Sequence, residues 1–395
     1  MATRYGTSPW IAEFPKSRVP SYPRQRGALD VDALIIGGGL AGCATAYAFA
    51  AHGVKVALIE AAQIGRGSAG QSAGWLADDP RGRRAARLAF QAWRRAALDF
   101  AALLRRLDAK CHLESRAALL VARTPEQASW VARERKARAA AALEAPLLNA
   151  RAVSAQAAFA GPSAIRLRDG AVVDPYRATL ALAAGAAARG AAIFERSSAV
   201  RIRFDRRTAD VETSAGSVHT RRVVVATGAP TRLFKPLARH FHFHRAYLAL
   251  TARLPAVVRR AVLPGATVVH DLADPPHLVR WQADDRLLVC GAAVAAPPDR
   301  LRDKLLVQKT GQLMYELSTI YPDVSGAAPA YGWDIAYAST ADGLPFIGPH
   351  RNYPHHLFAF GHSRGGLTGA YLASRLLLRQ HLGQISREDQ LFGFR

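Results

Sequence analysis

Two hydrophobic periods alternate along the chain. Residues 33–36 are an uncharged apolar run of the kind buried in a parallel sheet, followed by clustered glycines, an alanine-rich stretch and a second apolar run over 54–59. That order predicts strand, turn, helix and strand. Over 83–108 the period is helical, with Phe90, Trp93, Leu98, Leu104 and Leu107 among the apolar positions and arginines opposite. Thr124 as N-cap and Pro125 at the first helical position start another helix that runs to about 143. Helices are also expected over 176–189, 301–320 and 367–382. Strands are expected over 191–195, in a small meander at 200–204 and 210–213, over 222–226, and over 356–360. Between 242 and 292 the period drops to two, over 242–251, 267–271, 277–282 and 287–292, which predicts an antiparallel sheet.

A chain of 395 residues, half of them hydrophobic, exceeds the size of a single core, so two domains are expected. The net charge of +23 comes mostly from arginine and is locally dense at 81–95 and 133–138. Such a surface attracts polyanions in a salt-sensitive way. Arginine and alanine are enriched everywhere together, however, and no nucleic-acid module accompanies them, so nucleic acid is not an expected partner. Cys43, Cys111 and Cys290 have neither CxxC nor histidine spacing, which points to buried thiols in a reducing compartment, with no metal. The first thirty residues mix basic side chains with Pro9, Pro15, Pro20 and Pro23 and lack a signal-peptide core. The apolar stretch over 33–51 carries its glycines where a strand meets a helix, which argues against a membrane span. A cytoplasmic protein is expected.

The glycines carry the chemistry. Gly37, Gly39 and Gly42 have the GxGxxG spacing: the first for a tight turn, the second for close approach of backbone to a pyrophosphate, the third for helix–strand contact. The amides of Leu40 and Ala41 then open the helix toward phosphate. Glu60 ends the second strand, where a carboxylate accepts ribose hydroxyls and repels a 2′-phosphate. A second glycine-rich segment over 64–76 is too rich in small residues for an ordinary loop and implies backbone running beside a flat ligand. Thr227 and Gly228 end the apolar strand VVVATG, and a third glycine loop at 361–366 opens the last helix.

With ADGLPFIGP over 341–349 and FGHSRGG over 360–366, these segments resemble the D-amino-acid oxidase superfamily of FAD enzymes, which includes glycine oxidases, sarcosine oxidases and amine oxidoreductases. The resemblance covers nearly the whole chain beyond Asp30. It implies an α/β fold in which a Rossmann-like FAD-binding domain of the glutathione-reductase type is interleaved with an α+β substrate domain containing an antiparallel sheet. The expected division is a proline-rich arm over 1–29, an FAD-binding domain over 30–80, 161–235 and 336–395, and a substrate domain over 81–160 and 236–335.

The cofactor set implied by the resemblance is Gly37, Gly39, Leu40, Ala41, Gly42 and Glu60, then Gly67, Ser68, Gly74, Trp75 and Leu76 in the second loop. Val200, Thr227 and Gly228 follow, with Gly348, Gly361, Arg364, Gly365, Gly366, Leu367 and Thr368 near the closing signature. The free N–H groups of the last helix, directed at the flavin N1 and C2 carbonyl, stabilise the charge that appears on reduction. Gln71 stands where some members tether the flavin through histidine, and no cysteine lies near 333–340, so the FAD is expected to be non-covalent. Tyr247, Arg280, Trp333, Tyr337, His362 and Arg364 are the candidate catalytic residues, on segments that also hold His270 and Trp281. Among them Arg280 and Arg364 are candidate carboxylate anchors, and Tyr247, Trp333 and Tyr337 a candidate aromatic wall. His244 and Arg245 are candidates for a positive charge that assists oxygen. Thr368 replaces the lysine by which sarcosine oxidases hold the substrate carboxylate, which leaves a plain amine open.

The expected function is oxidation of the C–N bond of a small amine or amino acid by hydride transfer to FAD, with oxygen or another acceptor reoxidising the flavin. The alternatives are an FAD-containing RNA-modifying or RNA-associated protein, or a non-catalytic flavin-binding subunit of a larger dehydrogenase.

Overall fold

The computed structural model describes residues 2–77, 87–205, 207–362 and 366–395. The chain opens with β1 (Arg4–Tyr5) and a short turn of helix, α1 (Pro9–Ala12). The predicted dinucleotide unit then forms as β2 (Gly27–Ile36), α2 (Leu40–Ala50) and β3 (Val56–Ile59). Leu40 through Phe49 are all buried, because α2 is enclosed on several sides and its alanines keep it thin enough to fit. β4 (Trp75–Leu76), β5 (Glu114–Ser115) and β9 (Ala171–Val172) make a small antiparallel sheet. Around it lie α3 (Arg87–Arg106), β6 (Ala118–Ala122), α4 (Pro125–Ala140), β7 (Leu147–Asn149), α5 (Ala150–Ala157) and β8 (Ser163–Leu167). Thr124 caps α4 by accepting from the Gln127 amide at 3.3 Å, as its position before Pro125 predicts.

The second half begins with α6 (Pro175–Ala187) and β10 (Ala192–Phe194), then the meander β11 (Ala199–Phe204), β12 (Ala209–Thr213) and the long β13 (Gly216–Gly228). Next come β14 (His242–Thr251), α7 (Ala256–Ala261), β15 (Val268–Asp271), β16 (Leu278–Trp281) and β17 (Leu287–Ala295). The chain closes with α8 (Arg302–Ile320), β18 (Pro329–Ser339), β19 (Phe346–His350), β20 (Tyr353–Phe360), α9 (Gly366–His381) and α10 (Arg387–Gln390).

Among the described residues, two large sheets organise these elements. An eight-stranded sheet has the order β10-β3-β2-β13-β12-β11, and β20 pairs with both β13 and β19. Its core strands β10, β3, β2, β13 and β20 are mutually parallel, so their carboxyl ends line up on one edge. A nine-stranded sheet, mostly antiparallel, has the order β1-β18-β14-β17-β16-β15-β6-β8-β7. Two elements near the expected segment boundaries join the nine-stranded sheet. The segment from 161 onward opens with β8, which pairs with β6 and β7 in the nine-stranded sheet. The leading residues reach the same sheet at its far edge, where β1 runs parallel to β18.

The nine-stranded sheet is buried on both faces. Leu248, Leu250, Leu288, Tyr331 and Trp333 pack in one cluster with α2, α3, α6 and α9. Tyr247, Ala249, Val279, Trp281 and Val289 pack on the other face with Leu306, Leu313 and Leu317 of α8. Strand alternation alone separates the two sets.

On the α8 side, His277 donates or accepts at 2.9 Å with Asp271 and at 2.9 Å with Glu316 of α8. Burial works against its charge, but the hydrogen bonds and charges of Asp271 and Glu316 outweigh it and hold the imidazole above the ordinary histidine value. The folded state therefore prefers the protonated form. This contribution to stability is fully present below about pH 6.5 and is lost as pH rises through the raised value. Replacing His277 with Gln should lower the melting temperature most near pH 6, and the gap to wild type should shrink steadily toward pH 9. A gap that stays constant over that range in thermal melts would show that the imidazolium is not what binds α8 to the sheet.

Candidate active site

The carboxyl edge of the parallel strands gathers the first glycine turn, Gly228 at the end of β13 and the start of the third glycine loop. Gly37, at φ +112°, ends β2, and a Cβ there would sit 2.8 Å from the Ala226 carbonyl oxygen of β13. A Cβ on Gly42 would overlap the Gly37 carbonyl oxygen. Gly361 donates its amide to the Gly228 carbonyl at 3.0 Å, and a Cβ there would meet Phe241 and Thr340 at 3.0 and 3.2 Å. Gly39, Gly228 and Gly366, by contrast, have nothing within 4 Å of an added Cβ. Gly39 is also the N-cap of α2 and offers no side-chain cap, which leaves the first-turn amides of Leu40 and Ala41 without a side-chain partner. Tight packing at one set of glycines and open space at the other form a cradle whose free face is lined by backbone.

Glu60 lies where the spacing predicts, beside this loop. Its two carboxylate oxygens accept the amides of Gly38 at 2.7 Å and Ala62 at 2.8 Å, and a carboxylate retains further lone pairs for ribose hydroxyls. Gly38 was not singled out by the spacing, yet a Cβ there would meet Ile64 at 2.5 Å and Glu60 at 2.8 Å. The uninterrupted run of three glycines was its signal.

The second glycine loop is held by side chains from distant segments. The Gly70 carbonyl accepts Ser8 Oγ at 2.5 Å, Gln71 accepts Trp333 Nε1 at 2.8 Å, Ser72 accepts Trp10 Nε1 at 2.9 Å and Ala73 accepts Arg280 Nε at 2.8 Å. Gly74 continues the run, its carbonyl accepting the Val173 amide at 2.9 Å. Gly74 has φ +65°, and a Cβ there would overlap the Val173 carbonyl, so this position requires glycine. Ser68 Oγ donates to the Ala336 carbonyl of β18 at 3.0 Å, while Gly67 faces open space. Trp75 and Leu76 are buried behind the loop, with the Trp75 ring 5.9 Å from that of His270.

Several candidate residues take other roles than the sequence suggested. Trp333 is fully buried and spends its N–H on the Gln71 carbonyl, so it fixes the loop. Arg280 is buried beneath the same loop, with Nη1 on the Trp281 carbonyl at 3.2 Å and its guanidinium carbon 5.3 Å from the centre of the Trp10 ring. Burial pulls its pKa down to about 10, against the pull of Asp174 and Glu114, so it remains a cation, and only Nη2 lacks a partner among the described residues. Tyr247 faces α8, because it alternates with Leu248, and its hydroxyl has no partner among the described residues. Trp281 shares that face and donates to the Val262 carbonyl at 2.8 Å. Arg245 pairs with the buried Asp334, which also binds Arg302 through two hydrogen bonds of 3.0 and 2.9 Å.

Val200 is 58% exposed, whereas Ala199 packs against the core, because the β11–β12 register shifts between Ala199 and Arg201 and reverses the facing. Gly348 lies far from the α9 N-terminus. A Cβ on it would meet Gln380, one residue before the other end of that helix, at 2.6 Å, so its glycine serves helix packing.

The remaining candidates come together near the ends of β14 and β18. Tyr337 stacks on His244, with ring centroids 5.2 Å apart, and His244 Nε2 lies 2.9 Å from Ser339 Oγ. The Gly361 turn touches Phe241 and Thr340, which flank these two strands, and the His362 Cβ lies 3.5 Å from where a Gly369 Cβ would be, on the α9 side of the turn. The ring nitrogens of His362 are shielded from solvent. Burial, opposed by the Ala359 carbonyl, pushes the imidazole down to about 4, so it is neutral at neutral pH. Arg364 and Gly365 lie outside the described residues. At the start of α9, Leu367 and Thr368 are buried, and the Thr368 hydroxyl donates to the Ala77 carbonyl at 2.8 Å.

The comparisons with known proteins agree with this arrangement. Glycine oxidase of Bacillus subtilis is 26% identical over 234 residues, a match spanning 58% of this chain and 59% of that protein. Glycine oxidase of Bacillus licheniformis is 24% identical over 386 residues, covering 92% of this chain and 96% of its own length. The crystal structure of glycine oxidase from Geobacillus kaustophilus superposes with a TM-score of 0.79 at 21% identity, over 91% of this chain and 96% of that one. Residues 32–380 match the family model described as FAD dependent oxidoreductase, a span that takes in all three glycine loops and most of both sheets, and the chain belongs to that family.

Proposed function

We propose that the protein oxidises the C–N bond of a small amino acid or amine, that FAD is bound without a covalent link, and that oxygen or another small acceptor takes the electrons. The observation that carries this reading is the glycine cradle at the carboxyl edge of the parallel strands, with Tyr337 stacked on His244 at the ends of β14 and β18. FAD, when bound, supplies a two-electron acceptor that no side chain here provides. Everything else asked of the protein is positioning. An amine reacts in its neutral form, so the site has to position it without holding it as a cation.

The residues that would hold the cofactor are the α2 amides and Glu60 for the adenosine diphosphate half, and the loop over 64–76 with the α9 N-terminus for the flavin half. The cradle fits such a group, since the open faces of Gly39, Gly228 and Gly366 are where a ligand needs close backbone approach. Gln71 supports a dissociable flavin: its side-chain oxygen accepts the Ser8 amide at 2.9 Å, and an amide is no nucleophile toward the flavin. Tyr337 and His244 form the wall against which the substrate lies. With Nε and Nη1 of Arg280 engaged by backbone carbonyls, Arg364 in the FGHSRGG loop is the carboxylate anchor of this reading.

Two outcomes are expected. Gly39→Ala should leave the melting temperature of the FAD-free protein near wild type but raise the FAD dissociation constant at least tenfold, whereas Gly42→Ala should cost the FAD-free protein about 2–4 kcal/mol in denaturant unfolding. In anaerobic titrations, amino acids or amines should bleach the flavin, with colour and peroxide returning in air. Arg364→Ala should raise KM for amino acids about 100-fold and leave simple amines nearly unaffected. A protein that binds FAD but is bleached by no amine or amino acid would overturn the reading.

A further inference from the structure

The segment ahead of the dinucleotide unit crosses from one sheet to the other over the second glycine loop. At one end, Thr3 Oγ1 donates to the Pro329 carbonyl at 2.9 Å, and Arg4 and Tyr5 pair with Tyr331 and Gly332 of β18. Glu13 accepts two hydrogen bonds, of 2.6 and 2.8 Å, from Arg286, the residue just before β17 of the same sheet. At the other end, the Pro23 carbonyl accepts the Glu195 amide at 3.0 Å and the Gln25 amide donates to Ser197 Oγ at 2.9 Å, next to the eight-stranded sheet. Between these anchors the segment meets the loop itself. The fully buried Ser8 uses its hydroxyl on Gly70 and its amide on the Gln71 side chain, Trp10 uses its indole N–H on Ser72, and Ile11 lies 3.1 Å from where a Gly70 Cβ would be. The Trp10 ring also covers the guanidinium of Arg280, which holds the next carbonyl.

We infer that Ser8 and Trp10 are positioning residues, and that the strap over residues 3–26 sets the second glycine loop in its FAD-binding shape before the cofactor arrives. The inference rests on the reading that this loop borders the flavin. A glycine-rich loop has few side chains with which to restrain itself, so its order must come from outside. A loop ordered in advance does not have to be ordered by the ligand, and affinity rises accordingly. Two of the four side-chain donors on its carbonyl run belong to the strap, so their removal should loosen the loop while both sheets remain intact.

The test uses the full-length protein stripped of FAD. Ser8→Ala with Trp10→Phe removes both donors and keeps the ring in place. Glu13→Gln weakens one anchor and leaves the other anchors and the Ser8 and Trp10 contacts to hold the strap on the loop. Hydrogen exchange of the amides over 64–76 should quicken at least tenfold in the double variant, and its FAD dissociation constant should rise at least tenfold, while the melting temperature of the FAD-free protein stays within a few degrees of wild type. Glu13→Gln should keep wild-type values for both. Wild-type exchange and affinity in the double variant, or an equal loss in Glu13→Gln, would overturn the assignment. If wild-type protein takes up no FAD, the functional reading fails, and loop exchange in the FAD-free protein still decides the role of the strap.

Discussion

The row of side-chain donors on the carbonyls of Gly70, Gln71, Ser72 and Ala73 is the interaction on which the site depends. A partly buried small-residue loop has backbone acceptors that must be satisfied, and it carries few side chains to do so. Here four residues from three separate stretches of sequence do it. Each such bond is worth only about 1 kcal/mol net, but leaving one buried carbonyl without a donor costs more than that. The loop therefore has one acceptable position, fixed by the strap on one side and by the nine-stranded sheet on the other. The cofactor cradle is assembled between two sheets, and neither sheet builds it alone.

That requirement explains why two conspicuous residues are not where substrate chemistry would want them. Trp333 and Arg280 stand on the face of the nine-stranded sheet that looks toward the loop, and their hydrogen-bonding groups are mostly engaged there. The opposite face holds a separate polar arrangement under α8, in which Asp334 joins Arg245 and Arg302, and His277 joins Asp271 and Glu316. Those charges register the helix on the sheet.

The dinucleotide unit was legible because much of its demand is local: a Cβ at Gly42 collides with the Gly37 carbonyl in the same unit, and only glycine satisfies the spacing. Helices with a cap and an amphipathic face were legible for the same reason, α4 with Thr124 and Pro125 being the clearest. The side to which a strand residue points was not. In a sheet buried on both faces the apolar pattern is the same for either facing, so nothing in the sequence separates Tyr247 from Leu248. At Val200 a one-residue register shift is enough to turn the side chain outward. The strap was invisible for a different reason. Ser8 and Trp10 answer to partners more than sixty residues away, and no periodicity records such a pairing.

The distances along the chain between these partners also set an order of events during synthesis. The donors to Ala73 and Gln71 come 207 and 262 residues later, and the eight-stranded sheet is not closed until β20 has joined β13. At translation speeds of about 5–20 residues per second, the glycine loops spend tens of seconds outside the ribosome without the groups that shape them. During that interval the second glycine loop lacks the donors that shape it, so it takes its final form only after β16 and β18 have been made.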